Sequence, residues 1–106
     1  MAHDPIDQLA ATIHARKGAD PATSYTAKLF ARGRKKIAQK VGEEAVETVI
    51  AALTEDKAAL VGEATDLMFH LLVLLADMGL SLDDVRAELT RREGVSGIAE
   101  KAGRKS

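Results

Sequence analysis

Two pairs of acidic residues carry the chemistry that this sequence could perform. Glu44 and Glu47 stand in VGEEAVETV, and Glu63 and Asp66 stand in VGEATDLMF, each pair three residues apart. On an α-helix that spacing puts both side chains on one face, about 4.5 Å apart along the axis, so each pair presents two oxygen donors to one point. Two such pairs on neighbouring antiparallel helices would form a pocket of four carboxylates. Like charges packed that closely repel and resist desolvation, so an oxygen-only cluster on apolar helices calls for a hard cation, Mg²⁺ or alternatively Mn²⁺. That pocket is the expected active site. Taken singly, each pair is more simply read as a solvated helix face. The two together, with apolar flanks on both sides, are harder to assign to solvent.

A bundle-borne di-iron centre is the nearest rival, but it uses Glu-x-x-His on two helices, and neither pair here ends in His. No Walker-type glycine loop and no Ser-His-Asp order is present. Immediately before the acidic pairs, residues Pro21 to Gly42 contain no Asp or Glu but hold Lys28, Arg32, Arg34, Lys35, Lys36 and Lys40. Such a segment is either a solvated basic face or an arm that grips phosphates. Next to a carboxylate cluster, the second reading offers a polyphosphate both charge neutralisation and a bridging metal.

The elements that must position these groups follow from periodicity and caps. With 46% hydrophobic and 29% charged residues in 106, two Pro and abundant Ala, Leu, Glu, Lys and Arg, the chain reads as one all-α domain. Asp4-Pro5 opens a first helix carrying Ile6, Leu9, Ala10 and Ile13, ending near Gly18. Ser24 caps a short second helix that stops around Gly33. A third runs from about Arg34 to Leu53, with Gly42 inside it as a site of kinking or close backbone approach. Thr54 is the expected cap of a fourth, from about Glu55 to Met78, apolar around most of its girth. Ser81 and Asp84 form an expected capping box for a last helix, Leu82 to Arg92, packing through Leu82, Val85 and Leu89. Residues 1–92 are the expected domain and 93–106 a flexible basic tail.

So short a chain buries little core by itself, and the fourth helix would be best covered by a second copy. A homodimer with that helix at its interface is therefore expected. His70 shares a stripe with Glu63, Asp66 and Asp77; it could steady a carboxylate, but the reading preferred from sequence is an interface imidazole bonded to backbone, with Asp77 on the surface. The net charge of −1 gives no reason to expect nucleic acid or a membrane surface, and the absence of Cys excludes disulfides, thiol nucleophiles and thiolate metal sites. Asp4 and Asp7 oppose a secretory leader, and the apolar run Leu67 to Ala76 is too short to span a bilayer and is interrupted by His70, so a cytoplasmic location is expected.

The EExxE of residues 43–47 and the ExxD of 63–66, with fifteen residues between Glu47 and Glu63, resemble the MazG-like all-α nucleoside triphosphate pyrophosphohydrolase superfamily. More narrowly, SYTAKLFARGRKKIAQKVGEEAVETVIAA, EATDLMFHLLVLL and SLDDVRAELTRR are similar to the phosphoribosyl-ATP pyrophosphohydrolases of histidine biosynthesis, over roughly residues 6 to 92. The resemblance implies a bundle of four to five helices completed by dimerisation, with hydrolysis of 1-(5-phosphoribosyl)-ATP to 1-(5-phosphoribosyl)-AMP and pyrophosphate. It implies Mg²⁺ held by Glu44, Glu47, Glu63 and Asp66, with Glu43 orienting water or holding a second ion. It puts Lys28, Arg32, Arg34, Lys35 and Lys40 in the stretch that contacts substrate phosphates. With no Cys and no length for a fused cyclohydrolase domain, the chain is expected to carry the pyrophosphohydrolase step alone. A housecleaning enzyme for ordinary or damaged nucleotides, and a noncatalytic dimerisation module, are the competing classes.

Overall fold

Local caps set most of the helix boundaries. In the computed structural model, which describes residues 4–54 and 56–93, five helices follow in order: α1 Pro5–Arg16, α2 Tyr25–Arg32, α3 Arg34–Thr54, α4 Lys57–Asp77 and α5 Leu82–Arg92. No strand occurs among the described residues, as the all-α reading requires. Asp4 accepts from the Ile6 amide at 2.9 Å and Ser24 from the Ala27 amide at 3.1 Å, each satisfying a donor that a helix start leaves open. Ser81 and Asp84 form the expected capping box. The cap of α4 differs from the expectation. Asp56 takes that role, accepting from the Ala59 amide at 2.8 Å, because α3 runs on through Thr54, whose hydroxyl is already spent on the Ile50 carbonyl.

Two long helices joined by so short a connection must fold back on each other. The α3–α4 hairpin is fastened at its open end, where the Arg34 guanidinium meets the Asp77 carboxylate at 2.9 Å and also donates to the Asp77 carbonyl at 3.3 Å. Asp77 is therefore half-buried and paired, not the surface residue expected from its place in the stripe. At the same end Lys17 donates to the Ala76 carbonyl at 2.8 Å. Gly79, at φ +75°, turns the chain so that the Leu80 and Gly79 amides close on the Leu75 and Ala76 carbonyls, satisfying the last turn of α4.

The core lies at this fastened end. Ile13, Leu29, Ile37, Leu72, Val73 and Ala76 are buried together, with Leu9, Phe30, Phe69 and Leu82 packed around them. α1 and α2 thus cover the half of the hairpin near Arg34 and Asp77. The other half is bare: Val46, Val49, Ile50 and Leu53 of α3 and Val61 and Met68 of α4 are exposed, Leu53 at 79%. α5 departs from expectation, since Leu82 reaches the core while Val85 and Leu89 remain exposed. It is tied down by Arg86, whose guanidinium lies 2.7 Å from Asp7. As a whole, α4 is long and apolar enough by length and composition to cross a membrane, which the run 67–76 alone is not. Here it is the central helix, packed against α1, α2 and α3. The expected tail lies outside the described residues except Glu93, which closes α5.

Gly33 and Gly42 play opposite parts. Gly33, between α2 and α3, has φ +92° and ψ 166°, a region open essentially to glycine, and it is what lets one helix end and the next begin without a linker. Gly42 is mid-helix, and a Cβ there meets nothing within 4 Å, so no backbone among the described residues approaches it closely. Gly33→Ala should therefore lower the unfolding free energy by about 1–3 kcal/mol. Gly42→Ala should raise it by about 0.5–1 kcal/mol, both read by urea denaturation.

Candidate active site

The hairpin brings three of the four expected ligands to one point. Glu44 from α3 and Glu63 and Asp66 from α4 each offer an oxygen, all within 4.8 Å of one another. Glu47 lies beside this group and interacts with both Glu44 and Glu63, but it is exposed and stands outside the tight triad. Glu44 reaches the triad because it occupies a core position of α3. Ile37, Glu44 and Ala51, seven residues apart in turn, are the buried residues of that helix. A carboxylate thus stands where the packing pattern calls for an apolar side chain.

The electrostatics are frustrated. Burial pushes the Glu44 carboxyl above the ordinary value of 4.5, and Glu47 and Asp66 push it further, against a smaller opposing pull from Lys40. Glu63 is also raised, by burial first and then by Glu47, Asp66 and Glu44. One oxygen of each, Oε2, is buried without a hydrogen-bond partner. Buried acceptors without donors, hard oxygen chemistry and mutual repulsion are the conditions that a divalent cation relieves, so this donor set fits Mg²⁺ or Mn²⁺.

Glu43 is directed elsewhere. It accepts from the Gln39 amide at 2.8 Å and lies 3.5 Å from the Lys40 ammonium, and these two hold its carboxyl below the usual range. The basic residues divide likewise. Lys40 borders the cluster, with its Nζ 3.9 Å from Glu44 Oε1. Arg34 is committed to Asp77 and sits about 15 Å along α3 from Glu44 at helical rise. Lys28, Arg32 and Lys35 are exposed and form no ion pair with the described residues. His70 is 5% exposed, and its Nε2 faces Glu44 Oε1 at 3.8 Å. The expected backbone bond to this imidazole is absent among the described residues, where Nδ1 has no partner. Burial and Lys40 hold its pKa below the ordinary 6.5. The sequence signal for this contact was only the shared stripe with Asp66. A separate groove of about 510 Å³ between α1, the end of α4 and α5, lined by Ala10, His14, Leu75 and Leu82 among others, shares no residue with the carboxylates.

Residues 6–93 match the family described as Phosphoribosyl-ATP pyrophosphohydrolase. The chain belongs to that family. The match takes in α3, α4 and every carboxylate of the cluster. Among its relatives, the phosphoribosyl-ATP pyrophosphatase of Rhizorhabdus wittichii is 65% identical over 99 residues, 93% of each chain. That of Azospirillum brasilense is 63% identical over the full length of both. The Rhodobacter capsulatus protein of the same name is 62% identical, covering 93% of this chain and 96% of its own.

The raised carboxyls make a signed prediction for the metal-free chain. Glu44 and Glu63 keep their protons to higher pH when folded than when unfolded, so the stability they contribute is full below 4.5 and is lost as pH rises through their raised values. His70 works the other way, losing its contribution as pH falls below 6.5. In chelator, wild type should therefore lose more melting temperature than Glu63→Gln as pH is raised from about 4.5 to about 8. Millimolar Mg²⁺ or Mn²⁺ should abolish that difference in slope.

Proposed function

We propose that the chain hydrolyses 1-(5-phosphoribosyl)-ATP to 1-(5-phosphoribosyl)-AMP and pyrophosphate, the second step of histidine biosynthesis, at the carboxylate cluster. The observation that carries this assignment to the site is the convergence of Glu44, Glu63 and Asp66 within the family-matched region. Glu44, Glu47, Glu63 and Asp66 would hold a divalent cation, Mg²⁺ with Mn²⁺ as a substitute. Bound there, such an ion supplies Lewis-acid polarisation of the phosphate chain and a lowered pKa for water.

The rest of the chemistry falls to the chain's own residues. Water attacks phosphorus, the bond to the pyrophosphate oxygen breaks, and a carboxylate accepts the proton of the attacking water. Glu47 is suited to that role, since it adjoins both Glu44 and Glu63 and is open to solvent. Glu43, held by Gln39 and Lys40, is less suited to take a proton and instead fixes the Lys40 ammonium at the rim of the site. Lys40, with Lys28, Arg32 and Lys35 on the approach, would neutralise charge that grows on the departing pyrophosphate. Arg34 serves this arm indirectly by fastening the hairpin.

A homodimer is part of the same reading. The bare half of the hairpin exposes Val46, Val49, Ile50 and Leu53, and fully burying side chains of this kind is worth about 1.5–3 kcal/mol each. A second copy seated there would lie along α3 as well as α4, next to the carboxylates. The assembled enzyme is proposed to be cytoplasmic.

Pyrophosphate release should be followed with phosphoribosyl-ATP, ATP and dNTPs, with Mg²⁺ and with chelator. The expected result is metal-dependent turnover of phosphoribosyl-ATP in preference to the others, lowered about 100-fold or more by Glu47→Gln or Asp66→Asn. The same preparation should sediment at twice the chain mass. Undiminished turnover in both variants removes these carboxylates from the mechanism, preference for dNTPs points to housecleaning, and a monomeric active species refutes the dimer.

A further inference from the structure

We propose that His70 is a positioning residue of this site, holding one oxygen of Glu44 from behind so that the other is committed to the cation. This rests on the metal-binding reading of the cluster and adds a residue outside the ligand set.

The two basic side chains nearest Glu44 face the same oxygen. His70 Nε2 at 3.8 Å and Lys40 Nζ at 3.9 Å both face Oε1, while Oε2 is buried and receives no hydrogen bond. A carboxylate whose first oxygen faces two potential donors is biased to present its second to the other side. At 3.8 Å the imidazole contact is longer than a hydrogen bond, and a shift of under about 1 Å closes it.

The imidazole cannot easily turn away. Its ring meets Phe69 edge-on, with centroids 5.1 Å apart and planes at 77°, and Tyr25 in the same manner at 6.4 Å and 80°. Two aromatic rings nearly perpendicular to it define the plane in which Nε2 points. A neutral imidazole has one donor and one acceptor nitrogen. With Nδ1 unpartnered and Nε2 opposite a carboxylate, the tautomer protonated on Nε2 suits the surroundings.

Packing alone does not explain the residue. Phe or Leu would fill a similar space without leaving a buried nitrogen unpaired, an arrangement that costs stability. What only the imidazole supplies at this place is a donor aimed at Glu44. Partners of this kind behind a ligating carboxylate or imidazole typically change metal affinity 10- to 100-fold when removed.

The test is Mn²⁺ binding to the metal-free full-length chain, read from the electron paramagnetic resonance signal of free Mn²⁺, with circular dichroism as the check on folding. His70→Phe should weaken Mn²⁺ binding about 10- to 100-fold. His70→Gln, whose amide reaches roughly where Nε2 lies, should stay within about 3-fold of wild type. Turnover lost in His70→Phe should return at saturating Mn²⁺, a rescue that general loosening of the core would not give. Wild-type affinity in His70→Phe, or equal weakening in Phe and Gln variants, overturns the proposal. Should the Phe variant not fold, His70→Gln must bind Mn²⁺ more tightly than His70→Asn, whose shorter amide cannot reach Glu44, and equal affinities overturn it. Failure of wild type itself to bind Mn²⁺ would overturn the metal site along with the role of His70.

Discussion

Repulsion between carboxylates across the α3–α4 hairpin is the constraint from which the other features of this chain follow. Glu44 is built into the packing face of α3 and meets Glu63 and Asp66 of α4, an oxygen of each lying within 4.8 Å of the others. Glu44 and Glu63 are pushed toward their protonated forms by burial and by the neighbouring carboxylates, and one oxygen of each has no donor. A fold does not gain stability from such a cluster. It can tolerate one where the arrangement is completed by something bound, and a doubly charged cation carrying a phosphate chain, as proposed for this site, would satisfy both the charge and the open lone pairs.

The scaffold places its rigidity accordingly. The hairpin is clamped at the end remote from the connection, by Arg34 on Asp77 and Lys17 on the Ala76 carbonyl, and the buried core is concentrated there. From that base the two helices extend toward the carboxylates and beyond them into a half with no cover. The site therefore stands at the border between a well-packed region and an exposed apolar surface, the surface on which the proposed second copy would sit.

Local features of this fold were readable in the sequence because they depend on neighbours a few residues apart. Asp4-Pro5, Ser24 and the Ser81–Asp84 box begin helices where their side chains imply, and the three-residue spacing of the acids does put them on facing stripes. The misplaced cap of α4 is an instance of competition: Thr54 could cap a helix, but its hydroxyl bonds back to Ile50 within α3 and Asp56 takes over. Features set by the register of one helix against another were not readable. Helical periodicity puts His70 on the stripe of Asp66, but only the register of α3 against α4 brings it to Glu44, and only that register pairs Arg34 with Asp77. The exposure of Val85 and Leu89 has the same origin, since an amphipathic pattern on α5 states which face is apolar and not what covers it.

The central claim is that Glu44, Glu63 and Asp66 surround one divalent cation. It is tested most directly by a crystal structure of the chain grown with Mn²⁺, using the anomalous signal of the ion. The account predicts an anomalous peak between α3 and α4 with an oxygen of each of these three residues at about 2.0–2.2 Å, six ligands being completed by water, substrate or Glu47. Carboxylates turned apart around an ordered water, with Mn²⁺ bound elsewhere or not at all, would contradict it.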